Sequence, residues 1–265
     1  MRTSVGRLDR IELAHDRRGS GRPLVLVHGW GSYWRAWEPV LDLLAERREV
    51  IAVDLPGFGA SPPLPAGERY TRPTFCAALE AFFDRLGLER PDIAGNSLGG
   101  LLSLDLACRG TVRTATALCT PGFYGPLSIL RPAMLAPGGA LLRIPALRRR
   151  MGASVAGTRA RGLIVARPEL LTEQEWAGAM DAVVRAAGAM PFFVHNRHRV
   201  FFRGRPRVPV TMVWGARDRI IPSISAVRAR KLVPEARQIL LPGCGHVPMS
   251  DNPELLARTL LTSAD

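Results

Sequence analysis

At 265 residues and 47% hydrophobic, the chain is long enough to bury a full core as one domain with room for an insertion. No uninterrupted apolar run approaches the roughly 18 residues that span a bilayer. The opening Met1-Arg2-Thr3-Ser4-Val5-Gly6-Arg7 lacks the apolar stretch of a secretory signal, so a cytoplasmic protein without stable membrane insertion is expected.

Strands are predicted at 23–28, 49–54, 91–95, 112–119, 208–214 and 237–241, with an earlier pair within 4–16. Helices are predicted at 33–46, 73–87, 98–108, 222–232 and 252–262. Strand and helix alternate, which implies an α/β chain with a mostly parallel, doubly wound sheet. The run Pro23-Leu24-Val25-Leu26-Val27 reads as a buried strand ending in the loop His28-Gly29-Trp30-Gly31. His28, just before a glycine turn, is read as a structural loop residue.

The stretch Pro91-Asp92-Ile93-Ala94-Gly95-Asn96-Ser97-Leu98-Gly99-Gly100 sets one serine between a strand-like and a helix-like run. A strand that reverses into a helix within a few residues strains its central residue and crowds positions two either side. Gly95 and Gly99 relieve that crowding and Ser97 is thrust outward, where a base could activate it as a nucleophile. With 12 serines and 26 glycines, roughly 0.12 chance matches to G-x-S-x-G are expected, so the motif needs its context.

The alternation breaks down between Pro121 and Arg207. Prolines stand at 126, 132, 137 and 145, followed by helical-looking stretches near 147–166, 172–187 and 191–202. The expected organisation is therefore a core of 1–121 and 208–265 with a helical insertion, 122–207. Residues 122–209 hold 14 arginines against four acids, so +10 of the formal +13 is concentrated there. Such a surface would draw anionic substrates, acidic partner proteins or anionic lipid heads. A single lysine, Lys231, in the whole chain signals an overall bias toward arginine. The strand-borne pattern of RNA-binding modules is missing, so nucleic acid is not an expected partner.

Beyond the insertion, Val208–Val213 reads as a strand ending in Trp214-Gly215-Ala216-Arg217-Asp218. In an open parallel sheet, ligands bind outside the carboxyl ends of the strands, which would bring Asp218 near Ser97. Gly243-Cys244-Gly245-His246 follows the last strand and puts an imidazole on a glycine-bounded loop. His246 can then reach Ser97 as base while Asp218 orients its other nitrogen, in the chain order Ser, Asp, His. The backbone N–H groups of Trp30 and Leu98 are the candidate donors to a developing oxyanion. Cys76, Cys108, Cys119 and Cys244 are scattered, without metal-ligand spacing, and read as reduced thiols.

With these pieces the chain resembles the α/β hydrolases along nearly its whole length. Asp54-Leu55-Pro56-Gly57-Phe58-Gly59-Ala60-Ser61 matches that family's D-x-P-G-x-G-x-S loop, and Gly243–Pro248 with Asn252-Pro253-Glu254 matches its histidine loop and last-helix start. The resemblance implies Ser97 as nucleophile, His246 as base, Asp218 as orienting acid, Trp30 and Leu98 as oxyanion donors, and no cofactor or metal. It implies a cap over the catalytic mouth and a small-molecule acyl substrate. His28-Gly29-Trp30-Gly31 and the Asp54 loop are similar to pimeloyl-carrier-protein methyl ester esterases, which dock an acidic acyl carrier on cap arginines. Gly-Asn-Ser-x-Gly-Gly is similar to the meta-cleavage product hydrolases. Ester hydrolysis through an acyl-serine is the first expectation. Carbon–carbon or thioester cleavage on the same triad, or a non-catalytic ligand-binding protein of this fold, are the alternatives.

Overall fold

The computed structural model describes residues 8–123, 161–196 and 201–264. Seven strands among them form one sheet: β1 His15–Arg18, β2 Pro23–Val27, β3 Glu49–Val53, β4 Asp92–Asn96, β5 Ala115–Leu118, β6 Val210–Gly215 and β7 Arg237–Leu241. Their order is β1-β3-β2-β4-β5-β6-β7. β1 runs antiparallel to β3 and every other pair is parallel. The mostly parallel α/β architecture expected from the sequence is present.

The core follows from the two-residue period of the strands. Val25 and Val27 of β2, with Ile51 and Val53 of β3, belong to one buried cluster. Leu24, Leu26, Val50 and Ala52, their alternates, belong to the other. Each face needs a helical cover. Helices α1 Glu38–Ala45 and α8 Pro253–Ser263 bring Leu41, Leu44, Leu256 and Leu260 to the second face. Helices α2 Arg72–Leu86 and α3 Leu98–Arg109 bring Phe75, Phe82, Leu102 and Leu106 to the first.

Two local readings change. The helix predicted at 33–46 is split into a 3-10 turn, Trp34–Trp37, and α1, because Pro39 has no N–H to continue the ladder and suits a helix's first turn. Of the strand pair predicted within 4–16, the described residues hold one strand, at His15–Arg18. Upstream of it, Leu8, Ile11 and Leu13 are buried in the core. Residues 4–7 lie outside the described residues.

At the amino end of β4, Asp92 is 1% exposed and holds three partners. Arg48 pairs with it directly, Arg113 Nη2 donates at 2.6 Å and Thr114 Oγ1 at 2.6 Å. Asp92→Ala would strand the buried Arg48 guanidinium, so a loss of about 3–5 kcal/mol is expected in urea unfolding. The molecules that still fold should keep their activity, because this cluster sits at the opposite end of the strand from Ser97.

Between β5 and β6 the described residues comprise a helical turn at 161–164, a 3-10 turn Pro168–Leu170, α4 Glu173–Arg185 and α5 Ala189–Asn196. The stretches predicted at 172–187 and 191–202 correspond to α4 and, in part, α5. Residues 147–160 and 197–200 lie outside the described residues, as do Pro126, Pro132, Pro137 and Pro145. Thr172 starts α4 with a capping box. Its hydroxyl accepts from Glu175 N–H at 3.2 Å and the Glu175 carboxylate accepts from Thr172 N–H at 2.7 Å. Among the described residues no single helix is long and apolar enough to cross a membrane. α4 and α5 reach that composition only jointly, across a 64° bend.

Candidate active site

Ser97 stands between β4 and α3 with φ 54° and ψ −111°, a strained conformation for a residue with a side chain. The strain persists because both neighbours are packed too tightly to relax. A Cβ on Gly95 would lie 2.1 Å from the carbonyl carbon of Gly99, and one on Gly99 2.1 Å from the oxygen of Val27. Only glycine at both positions lets α3 start directly over β2 and β4. Ser97 N–H donates to Leu118 O at 2.8 Å, which ties the apex to the carboxyl end of β5.

The imidazole and carboxylate meet. His246 Nδ1 lies 2.8 Å from Asp218 Oδ2, and both side chains are buried. A carboxylate can only accept, so Nδ1 carries the proton and Nε2 is left as the acceptor. Asp218 is aimed by its own turn: its Oδ1 accepts from Ile220 N–H and Ile221 N–H, each at 2.8 Å. The two loops are pressed together, since a Cβ on Gly215 at the end of β6 would sit 2.1 Å from Gly245 O.

The loop after β2 closes the third side. A Cβ on Gly29 would lie 3.3 Å from Ser97 Cβ and 3.3 Å from Asn96 Oδ1, so the loop packs against the serine at Gly29. Leu98 is the first residue of α3, where a helix leaves its N–H groups without intrahelical acceptors. Trp30 is anchored by its indole N–H, which donates to Ala189 O of α5 at 2.8 Å.

His28 is structural, as its glycine turn suggested. It is fully buried, its Nε2 accepts from Leu55 N–H at 3.0 Å, and its Nδ1–H donates to Gly29 O at 2.7 Å. The Asp54 loop has a matching role: Asp54 accepts from Trp34 N–H at 2.6 Å and Ala60 N–H at 2.8 Å. Burial pushes the His28 imidazole below its ordinary 6.5. The unfolded chain therefore takes up a proton that the fold refuses, so the contribution is complete above about pH 6.5 and lost as pH falls below it. Thermal melts should show stability declining below that pH by at most about 1.4 kcal/mol per unit, and His28→Gln should flatten this slope.

Three residues were not singled out as site residues by sequence reasoning. Asn96 Nδ2–H donates to His246 O at 2.9 Å, joining the residue before the serine to the backbone of the histidine. Asp251, five residues past His246, is buried and accepts from Gly245 N–H at 2.7 Å. Cys119 follows β5 at φ 46°, and its thiol lies within 4.8 Å of the Asp218 and His246 ligand atoms. Burial, together with the Asp218 carboxylate, pushes that thiol well up. Cys119, Asp218 and His246 are metal-ligating types, but a metal between His246 Nδ1 and Asp218 would have to break their hydrogen bond. Cys76, Cys108, Cys119 and Cys244 are free in the structure.

A mostly parallel sheet with a strained serine at one strand end and an imidazole–carboxylate pair at two others defines an α/β hydrolase. The chain belongs to the alpha/beta hydrolase family, whose sequence profile matches residues 24–259. It is 44% identical over 94 residues to a 2-hydroxy-6-oxo-2,4-heptadienoate hydrolase of Pseudomonas putida, a match covering 34% of each chain. It is 28% identical over 269 residues to a pimeloyl-[acyl-carrier protein] methyl ester esterase of Aromatoleum aromaticum, covering 87% of this chain and 93% of that one. The chain spans 34% and 63% of the lengths of the first two curated relatives it matches. Among solved structures, a membrane phospholipase A superposes with a TM-score of 0.77 at 23% identity, over 99% of this chain and 88% of that one, a likeness of fold.

Proposed function

We propose that this protein is a serine hydrolase that cleaves a carboxylic ester through an acyl-serine intermediate, with Ser97, His246 and Asp218 as its triad. The observation that carries the reading is a strained serine at the carboxyl end of β4 whose neighbour Asn96 bonds the backbone of His246, itself 2.8 Å from Asp218. In this mechanism Ser97 Oγ attacks the ester carbonyl carbon and its proton passes to His246 Nε2. The carbonyl oxygen becomes an oxyanion, held by the N–H groups of Trp30 and Leu98. The imidazolium, stabilised through Nδ1–H by Asp218, protonates the departing alkoxide. Water then gives a proton to His246 Nε2 and attacks the acyl carbon, and His246 returns that proton to Ser97 Oγ as the acid departs.

An ester is favoured because the esterase relative matches along 87% of the chain. The second reading, carbon–carbon cleavage of a ring-opened dienoate, is supported by the 44% identity confined to 94 residues. Residues 122–207 act in this proposal as a helical cap, and α5 contributes to it by holding Trp30. The basic excess of that segment suits an acidic acyl carrier as partner; Arg148, Arg149 and Arg150 lie outside the described residues. A fluorophosphonate probe should label the folded protein on Ser97, as mapped by peptide mass. p-Nitrophenyl esters of graded length, a carrier-bound ester and a dienoate, assayed side by side, would then rank the substrates. An unlabelled Ser97 in folded protein would favour a non-catalytic binding protein instead.

A further inference from the structure

Around His246, the backbone is held by groups from outside its own loop. Its C=O accepts from Asn96, and its N–H donates to Ile164 O at 2.9 Å, so one side faces the nucleophile and the other the insertion. The preceding amide, Gly245 N–H, donates to Asp251 Oδ2 at 2.7 Å. The other oxygen of the same carboxylate accepts from Arg167 N–H at 2.9 Å. Asp251 is 2% exposed, at the end of the short helix α7 Pro248–Asp251. The approach is close: a Cβ on Gly245 would lie 2.8 Å from Ala166 N and 3.1 Å from Val165 C.

From these contacts we infer that Asp251 is a positioning residue, which clamps the 161–167 segment of the insertion to the histidine loop and so sets the alignment of the His246 imidazole. The inference rests on the hydrolase reading above. A buried carboxylate that accepts from two backbone N–H groups makes charge-assisted bonds, stronger than those of a neutral acceptor. It has a ligand-free task here: each oxygen satisfies an amide from a different part of the chain. Those amides flank the Ile164–His246 bond, so loss of the carboxylate frees the histidine loop from the segment that would cover the substrate. A shift of about 1 Å in a reacting group costs about 10²-fold in rate. The effect falls on the chemical step, because Asp251 reaches no substrate-facing group among the hydrogen bonds it makes.

The test uses the full chain with Asp251→Asn. The amide keeps the shape but removes the charge and turns one N–H toward a backbone N–H. Fluorophosphonate labelling of Ser97 and kcat on a short p-nitrophenyl ester are expected to fall about 10- to 100-fold, with KM within about threefold. The low-field proton resonance of the His246–Asp218 hydrogen bond is expected to shift or broaden. Wild-type labelling rate together with an unmoved resonance would overturn the inference. If circular dichroism shows Asp251→Asn unfolded, Asp251→Glu is scored instead. It restores the charge with one methylene of displacement, and a rate equal to wild type there would likewise overturn it. Failure of the underlying reading looks different: wild-type protein would itself stay unlabelled, while the resonance would still report whether Asp251 governs the pair.

Discussion

Ser97→Ala is expected to lower kcat for the best ester by about 10⁶-fold while leaving the fold intact. Alanine removes only the hydroxyl. The strained φ of 54° at this position is no worse for alanine than for serine, and Gly95 and Gly99 still relieve the crowding around it. Asp218→Asn should be milder, about 10⁴-fold. Its amide can still accept from Ile220 and Ile221, but its N–H₂ facing His246 Nδ1 would move the imidazole proton to Nε2, where a base is needed. The double variant should be scarcely slower than Ser97→Ala, since the histidine has no nucleophile left to activate. Steady-state rates on folded enzyme quantified by absorbance, with thermal melts as control, would measure all three. A Ser97→Ala protein that keeps even one-tenth of wild-type kcat would end the acyl-serine account.

How much of this was legible before the fold was known depends on how local the signal was. β2 and β3 are buried on both faces, so they read as continuous apolar runs with loops at their ends. Ser97, Asp218 and His246 each follow a strand, and a parallel sheet gathers the carboxyl ends of its strands along one edge. The pair His246–Asp218 could thus be inferred across 28 positions without any contact being visible. β1 was misplaced because it is an edge strand of sequence His-Asp-Arg-Arg, partly exposed throughout, with no apolar alternation to mark it. Asn96 and Asp251 were overlooked for another reason. Asn96 bonds a backbone carbonyl 150 residues away and Asp251 bonds amides 6 and 84 residues away, and a backbone group has no residue type to announce it. An acid just before the Asn252 helix cap reads as ordinary helix-start chemistry.

Gly99→Ala should be among the most damaging single methyl groups that can be added to this chain. In an exposed helix the change would gain about 1 kcal/mol, because alanine loses less backbone entropy. Here the new Cβ would meet Val27 O at 2.1 Å, Val27 C at 2.7 Å and His28 O at 2.8 Å. All three are backbone atoms at the end of β2, which is hydrogen-bonded on both sides by β3 and β4 and cannot move aside. α3 must therefore lift off the sheet, and it carries Leu102 and Leu106 out of the core with it. A loss of about 4 kcal/mol or more is expected, enough to leave much of the protein unfolded or insoluble. Two other glycines calibrate the effect. Gly87 ends α2 at φ 67° with nothing within 4 Å, so Gly87→Ala should cost only the left-handed strain, about 1–2 kcal/mol. Gly178 lies inside α4 and would touch only the Tyr33 hydroxyl at 3.2 Å, so Gly178→Ala should be neutral or slightly stabilising. Urea midpoints of the three variants should fall in that order. A Gly99→Ala protein as stable as wild type would mean that α3 does not rest on Val27, the contact that sets the start of the helix against the end of β2.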